Sequence, residues 1–362
     1  MPQHTDRSPV RSMTQLVAPQ LTSALRRAAV RATRAPSIHN TQPWQFALEG
    51  GVLEVHADWS RQLRVLDPSG RQLILSCGCA VFNARAALAG AGYPAKVERF
   101  PDPTRPGLVA RIVVGESHQP IDDGFAELDR AIDDRNTNRR EFMDENVSDQ
   151  VVETLIDAAN REGAEVFSVL RPEHRLAVAR LSQVADHFEI SDPAYRAELR
   201  AWTLDDPRLA EGGPAFALAH VDVGAEDDIA IRDFDTHWTG RLPADTSSSH
   251  AQCLLLLGAL DEDPLAWLRI GEALERMLLE IARLGYAASP VTQVIEIART
   301  NERLRHELGL TMYPHVLLRI GRAPAASPSR RRRLVDMLTE STGRRIDIAP
   351  IPARSRPGAT LR

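Results

Sequence analysis

Two segments of the chain, LSCGCAVFNARAALAGAGY at 75–93 and LRIGEALERMLLEIARLGY at 268–286, can be laid over each other without a gap. A repeat on that scale constrains the fold more than any local signal, because it asks for one supersecondary unit made twice. Gly78 pairs with Gly271, Ala80 with Ala273, Gly92 with Gly285 and Tyr93 with Tyr286. Each copy has apolar residues at helical spacing and ends on a glycine suited to a left-handed C-cap, which predicts two long buried helices. Apolar, β-branched runs ending in glycine follow at 108–115 and 316–321 and predict a strand after each helix. Earlier in each half stands a helix with paired alanines, 21–31 with Ala28-Ala29 and 151–161 with Ala158-Ala159; Ser148 is placed to cap the second. Further strands are expected at 44–48, 52–57 and 165–170. The expectation is an α+β fold, internally duplicated.

The chain has 362 residues, of which 43% are apolar, enough for a packed core. A net charge of -5 and a pI near 6.1 argue against a general nucleic-acid or anionic-membrane binder, since nothing basic in the total could neutralise phosphates. Three cysteines, two of them in Cys77-Gly78-Cys79, give neither a disulfide framework nor metal spacing, and the histidines give none either, so no metal is expected. No signal-peptide pattern opens the sequence, and its longest strongly apolar run, 253–260, is short of a bilayer span. A soluble cytoplasmic protein is the expectation. Neither GxGxxG opening a βα unit nor GxxxxGK[ST] occurs, so dinucleotide-binding Rossmann and P-loop readings have no support.

Chemistry concentrates in two distant stretches, APSIHNTQPWQF at 35–46 and RNTNRREF at 135–142. They are complementary, for the first half has no arginine-rich opener like 135–142. At the place of the loop, the second half reads REGAEVFSVL. One site per chain follows. A proline-initiated turn offers backbone N–H groups and short polar side chains to a flat heteroaromatic ring. Guanidinium groups bind phosphate bidentately, and a second supply stands at 330–333.

With PSxxNxQPW, the RxTNRRxF opener, and YPHVLLRIGRAP followed by PSRRRRL, the chain resembles the Acg family of nitroreductase-like proteins, in which two diverged nitroreductase folds are fused. The resemblance spans roughly residues 15–338. It implies a nitroreductase-like fold as a fused pseudo-dimer: a tail at 1–14, a first half at 15–122, a second half at 123–341 with an insertion or lid at about 186–250, and a tail at 342–362. It also implies FMN as cofactor and NAD(P)H as hydride donor. Its flavin wall maps to Pro36, Ser37, Asn40 and Gln42. Its phosphate side maps to Arg135, Asn138, Arg139 and Arg140 with Arg330 and Arg332, and Pro290 matches a segment that passes the flavin rings. Nitroreductases usually open with two adjacent arginines and a serine. Arg135-Asn136-Thr137 departs from that and leaves open which of Arg135, Thr137 and Asn138 reaches the phosphate or ribityl chain. The flavin would carry the chemistry, so no catalytic side chain is expected. Two activities follow from the resemblance: ping-pong reduction of nitroaromatics or quinones, or a silent FMN-storing stress protein whose flavin lies under the insertion. Either would be a monomeric pseudo-dimer or a homodimer.

Overall fold

The computed structural model describes residues 19–115, 123–138, 142–203, 212, 253–324 and 329–340. The first half runs α1 (Pro19–Ala32), β1 (Trp44–Glu49), β2 (Val52–Ala57), α2 (Arg71–Gly90), β3 (Ala95–Arg99) and β4 (Leu108–Val114). After α3 (Asp123–Ala131) come α4 (Asp149–Asn160), β5 (Glu165–Ser168), α5 (Pro172–Ser191), α6 (Pro193–Trp202), β6 (Cys253–Ala259) and α7 (Pro264–Arg283). Then follow β7 (Ala287–Val291), α8 (Gln293–Glu296), α9 (Ala298–Leu308), β8 (Tyr313–Gly321) and β9 (Leu338–Glu340).

Two antiparallel sheets result, ordered β3-β4-β2-β1 and β7-β8-β6-β5. With α5, α6, α8 and α9 set aside, each half reads helix, strand, strand, helix, strand, strand, and the two sheets match position for position. The hairpin between β1 and β2 turns on Gly50 and Gly51 at φ 58° and 82°, the left-handed pair that a two-residue turn joining twisted strands requires. Beyond the second half, β9 crosses back and pairs parallel with β1, so the C-terminal segment is tied to the first sheet.

The halves meet where α2 crosses α7. A Cβ on Gly78 would lie 2.1 Å from the Leu268 carbonyl oxygen, and one on Gly271 would lie 2.0 Å from that of Leu75. The contact is reciprocal, with equivalent residues touching from each side, and only glycine permits backbones to approach so closely. One apolar core spans both halves and takes in Trp44, Ala28, Ala29, Val81, Ala159, Met277 and Leu318. A second cluster fills the outer face of the second sheet beneath α5 and α9. Ion pairs also join the halves: Arg85 of α2 donates to Glu162 at 2.6 Å and to Glu272 at 2.9 Å, and Glu162 is held within the second half by Arg276 at 2.8 Å.

The predicted helices and strands are present with small boundary shifts, and Gly92 and Gly285 adopt the left-handed conformation past the paired helices. Three details differ. Ser148 precedes α4, but its side chain makes no capping bond. Four strands, β3, β6, β7 and β9, were not anticipated. Finally, α2 is long and apolar enough by composition to cross a membrane. The fold encloses it instead, with α1, α3, α7 and the first sheet packed around it.

Candidate functional site

The loop leaving α1 has an uncommon backbone. His39, Asn40 and Gln42 all have positive φ, 46°, 54° and 49°, without being glycine, which costs about 1 kcal/mol apiece and persists only where surroundings enforce it. Side chains do the enforcing. The Ser37 hydroxyl accepts from the Gln42 N–H at 2.9 Å, and the Ile38 N–H donates to the Ser76 hydroxyl of α2 at 3.2 Å. Pro36 and Ser37 are half-buried, and Gln42 is wholly buried.

The C-terminal segment closes on this loop. Gln42 Oε1 accepts from the Arg332 N–H at 2.7 Å, while the Arg332 guanidinium donates to the Gln42 carbonyl at 3.1 Å. Asn40 is a hub: its Nδ2 donates to the Arg330 carbonyl at 3.1 Å and to the Gly212 carbonyl at 3.0 Å, and its Oδ1 accepts from Arg331 Nη1 at 3.1 Å. Thus a residue from the insertion, a residue from the loop and the arginine run converge on one amide.

Behind Asn40 lies a cationic cluster. Arg331 Nη2 and Arg135 Nη2 both donate to the Arg34 carbonyl, each at 3.1 Å, so two guanidiniums abut. Arg135 is buried, and its Nε stands 3.5 Å from Oε1 of fully buried Glu275 on α7. Burial first, then Arg135 and Arg34, pull the Arg331 guanidinium down to about 9, with Glu275 opposing them. Burial pushes the Glu275 carboxyl up to about 7, against the opposing pull of Arg135, the Asn83 amide and Arg331. Among the described residues, neither Glu275 oxygen, nor Arg135 Nε, nor Arg331 Nε has a partner in good hydrogen-bond geometry; the Asn83 amide and Arg135 act on the carboxyl more loosely. Orphaned donors on two adjacent cations, one buried and one half-buried, are the arrangement an oxyanion completes.

Of the residues singled out from sequence, the structure brings Pro36, Ser37, Asn40, Gln42, Arg330 and Arg332 into one loop pair, with Arg135 joined to it through Arg34. Asn138 docks by its N–H on the Ala288 carbonyl of β7 at 3.0 Å, and half-buried Pro290 follows two residues along that strand. Arg139 and Arg140 lie outside the described residues. Within the 330–333 run three arginines take separate parts. Arg330 contributes its carbonyl and leaves its side chain exposed, Arg332 clasps Gln42, and Arg331 supplies the guanidinium beside Arg135. Arg34, Asn83 and Glu275 were not foreseen. The available signal was a charge on the apolar face of a core helix, Glu275 within EALERMLLEI.

The nitroreductase family model matches residues 132–322, and the chain belongs to the nitroreductase family. It is 37% identical over 300 residues to the Mycobacterium tuberculosis protein named "Putative NAD(P)H nitroreductase Rv3131", covering 81% of this chain and 83% of that one. It is 31% identical over 324 residues to "Putative NAD(P)H nitroreductase acg" of the same organism, covering 87% and 95%, in keeping with the resemblance read from the motifs. Among solved structures, a nitroreductase from Anabaena variabilis aligns over 86% of this chain and 91% of its own at 10% identity and a TM-score of 0.49.

Proposed function

We propose that the chain is an FMN-dependent oxidoreductase with one flavin site, built from the 36–42 loop of the first half, the segment after α3, and the arginines at 330–332. The matching strand order of the two sheets supports reading it as a duplicated nitroreductase fold that has kept one site of two. The single observation that carries the proposal is the pair of abutting guanidiniums, Arg135 and Arg331, whose Nε atoms have no hydrogen-bond partner among the described residues, at the foot of a strained loop. A terminal phosphate supplies the missing acceptors, and its charge near -2 offsets the two cations. Arg332 and Gln42 would hold the loop closed against the ring system, with Asn40 fixing the turn. When bound, FMN supplies hydride acceptance from NAD(P)H and delivery to a nitroaromatic or quinone in a ping-pong cycle. The chain's own part is to bind, orient and exclude water, and no side chain is required as acid or base.

The test is an anaerobic NAD(P)H titration of the FMN-loaded protein, followed by its visible absorbance. Bleaching is expected, and bound flavin that never bleaches would sink the enzymatic reading.

A specific observation favours a second reading, storage of FMN under a cover. Gly212 of the insertion bonds Asn40 from both its N–H and its carbonyl. In addition, α6 buries Tyr195 and Leu199 against Leu63 and Leu66, with Trp202 and Ile38 alongside. Glu198 fastens that helix by accepting the Leu66 N–H at 2.9 Å. Residues 204–211 and 213–250 lie outside the described residues. On the storage reading, deleting residues 204–241 from an inert, FMN-loaded protein restores reduction by NAD(P)H; a folded deletion variant that stays inert counts against it.

A further inference from the structure

The flavin reading gives no task to Glu275. It stands in the middle of α7, fully buried, with Arg135 Nε 3.5 Å away, and among the described residues neither oxygen has a partner in good hydrogen-bond geometry. The groups facing it come from several segments: Arg135 after α3, Arg331 from the C-terminal run, and Cys79 and Asn83 from α2. Arg34, beyond α1, acts on Arg331. The Cys79 thiol is held neutral by burial. On α7 itself, Glu272 and Arg276 are engaged elsewhere, with Arg85, Arg99 and Glu162. The local balance is therefore one carboxyl against two guanidiniums.

Resting on the flavin reading, we propose that Glu275 is a positioning residue, the internal counterion of Arg135 and Arg331, and that it takes up one proton from solvent when a phosphate dianion binds them. The argument is charge balance around a carboxyl that water does not reach, with buried Arg135 on one side and half-buried Arg331 nearby. Without an anion, an ionised Glu275 spares the site two bare cations. With a phosphate of charge near -2 on the same guanidiniums, an ionised Glu275 would set three negative charges against two positive ones, and like charges at close range disfavour ionisation. A proton on Glu275 restores neutrality. Burial already holds this carboxyl near neutral pH, at about 7, so little free energy is needed to protonate it there.

The experiment is calorimetric titration of the full chain, freed of flavin, with FMN and with riboflavin, at pH 7 and 8 in buffers of different ionisation enthalpy. Through pH 8 Arg331, lowered only to about 9, keeps its proton, and the phosphate is already doubly ionised. In the wild type, the FMN dissociation constant rises about fivefold from pH 7 to pH 8, with uptake of about one proton at pH 8. Riboflavin, which lacks the phosphate, shows neither effect. Glu275→Gln binds FMN with a flat profile across that window and takes up no proton. FMN binding without proton uptake in the wild type, or equal uptake in Glu275→Gln, overturns the role of Glu275 and leaves the flavin reading standing. Failure of FMN to bind at either pH overturns both.

Discussion

Arg330 and Arg331 adjoin in the chain and diverge in the fold: one side chain is exposed, while the other reaches the Arg34 carbonyl beside Arg135. On the flavin reading proposed above, Arg331→Ala removes a charge-assisted contact of about 1.5–3 kcal/mol and should weaken FMN binding roughly 10- to 100-fold, whereas Arg330→Ala should leave it within about threefold. Equilibrium dialysis against FMN separates the two, and equal losses would move Arg330 into the site. Glu275 also makes stability depend on pH. Its folded value, about 7, lies above that of an exposed glutamate, so its contribution is intact below about pH 4.3 and is lost as pH rises through 7. Glu275→Gln should thus come close to the wild type at pH 4 and exceed it at pH 8, by up to about 3 kcal/mol, in thermal melts. A variant less stable at both values would mean that the ion pair outweighs the burial. The cysteines give a simpler check. Burial pushes the Cys77 and Cys79 thiols up and Cys253 to about 11, and all three are buried, so none should react with a thiol reagent before unfolding.

Among the elements, the crossing of α2 and α7 decides how the halves fit. Gly78→Ala would put a methyl 2.1 Å from the Leu268 carbonyl oxygen and 2.9 Å from the Gly271 Cα, backbone that cannot step aside. The helices must separate, with a loss of about 3 kcal/mol or more in urea denaturation, and Gly271→Ala should do the same. Because each methyl opens the gap the other needs, the double variant should cost less than the sum. The repeat itself was legible because long buried helices leave a dense, ungapped apolar pattern. Strands β7 and β9 were not, since AASPV and LTE are short, lack alternation and become strands only by pairing with β8 and β1. CLLLLGA read as a mere apolar run, because both faces of β6 are covered and the period-two signal vanishes.

At the scale of the molecule, the site depends on a chain end that returns to the other half. The Phe46 N–H donates to the Met337 carbonyl at 2.7 Å, Met337 is buried in the main core, and β9 lies beside β1. Ending the chain after Arg333 keeps all four arginines of the run but removes that anchor. Flavin content of the purified truncation should fall sharply, and full retention would show that Asn40 and Gln42 hold the segment unaided. The sequence by itself determined the nitroreductase class with its mixed helices and sheets, and it marked the paired helices, the 36–42 loop and the two arginine-rich stretches as candidates, because periodicity, turn chemistry and residue type are local properties. Only the tertiary structure decided that Arg331 faces Arg135, that Glu275 lies beside them and that Gly212 meets Asn40. Those juxtapositions join residues far apart in the chain, and their charges are tuned by burial, which no single stretch of chain encodes.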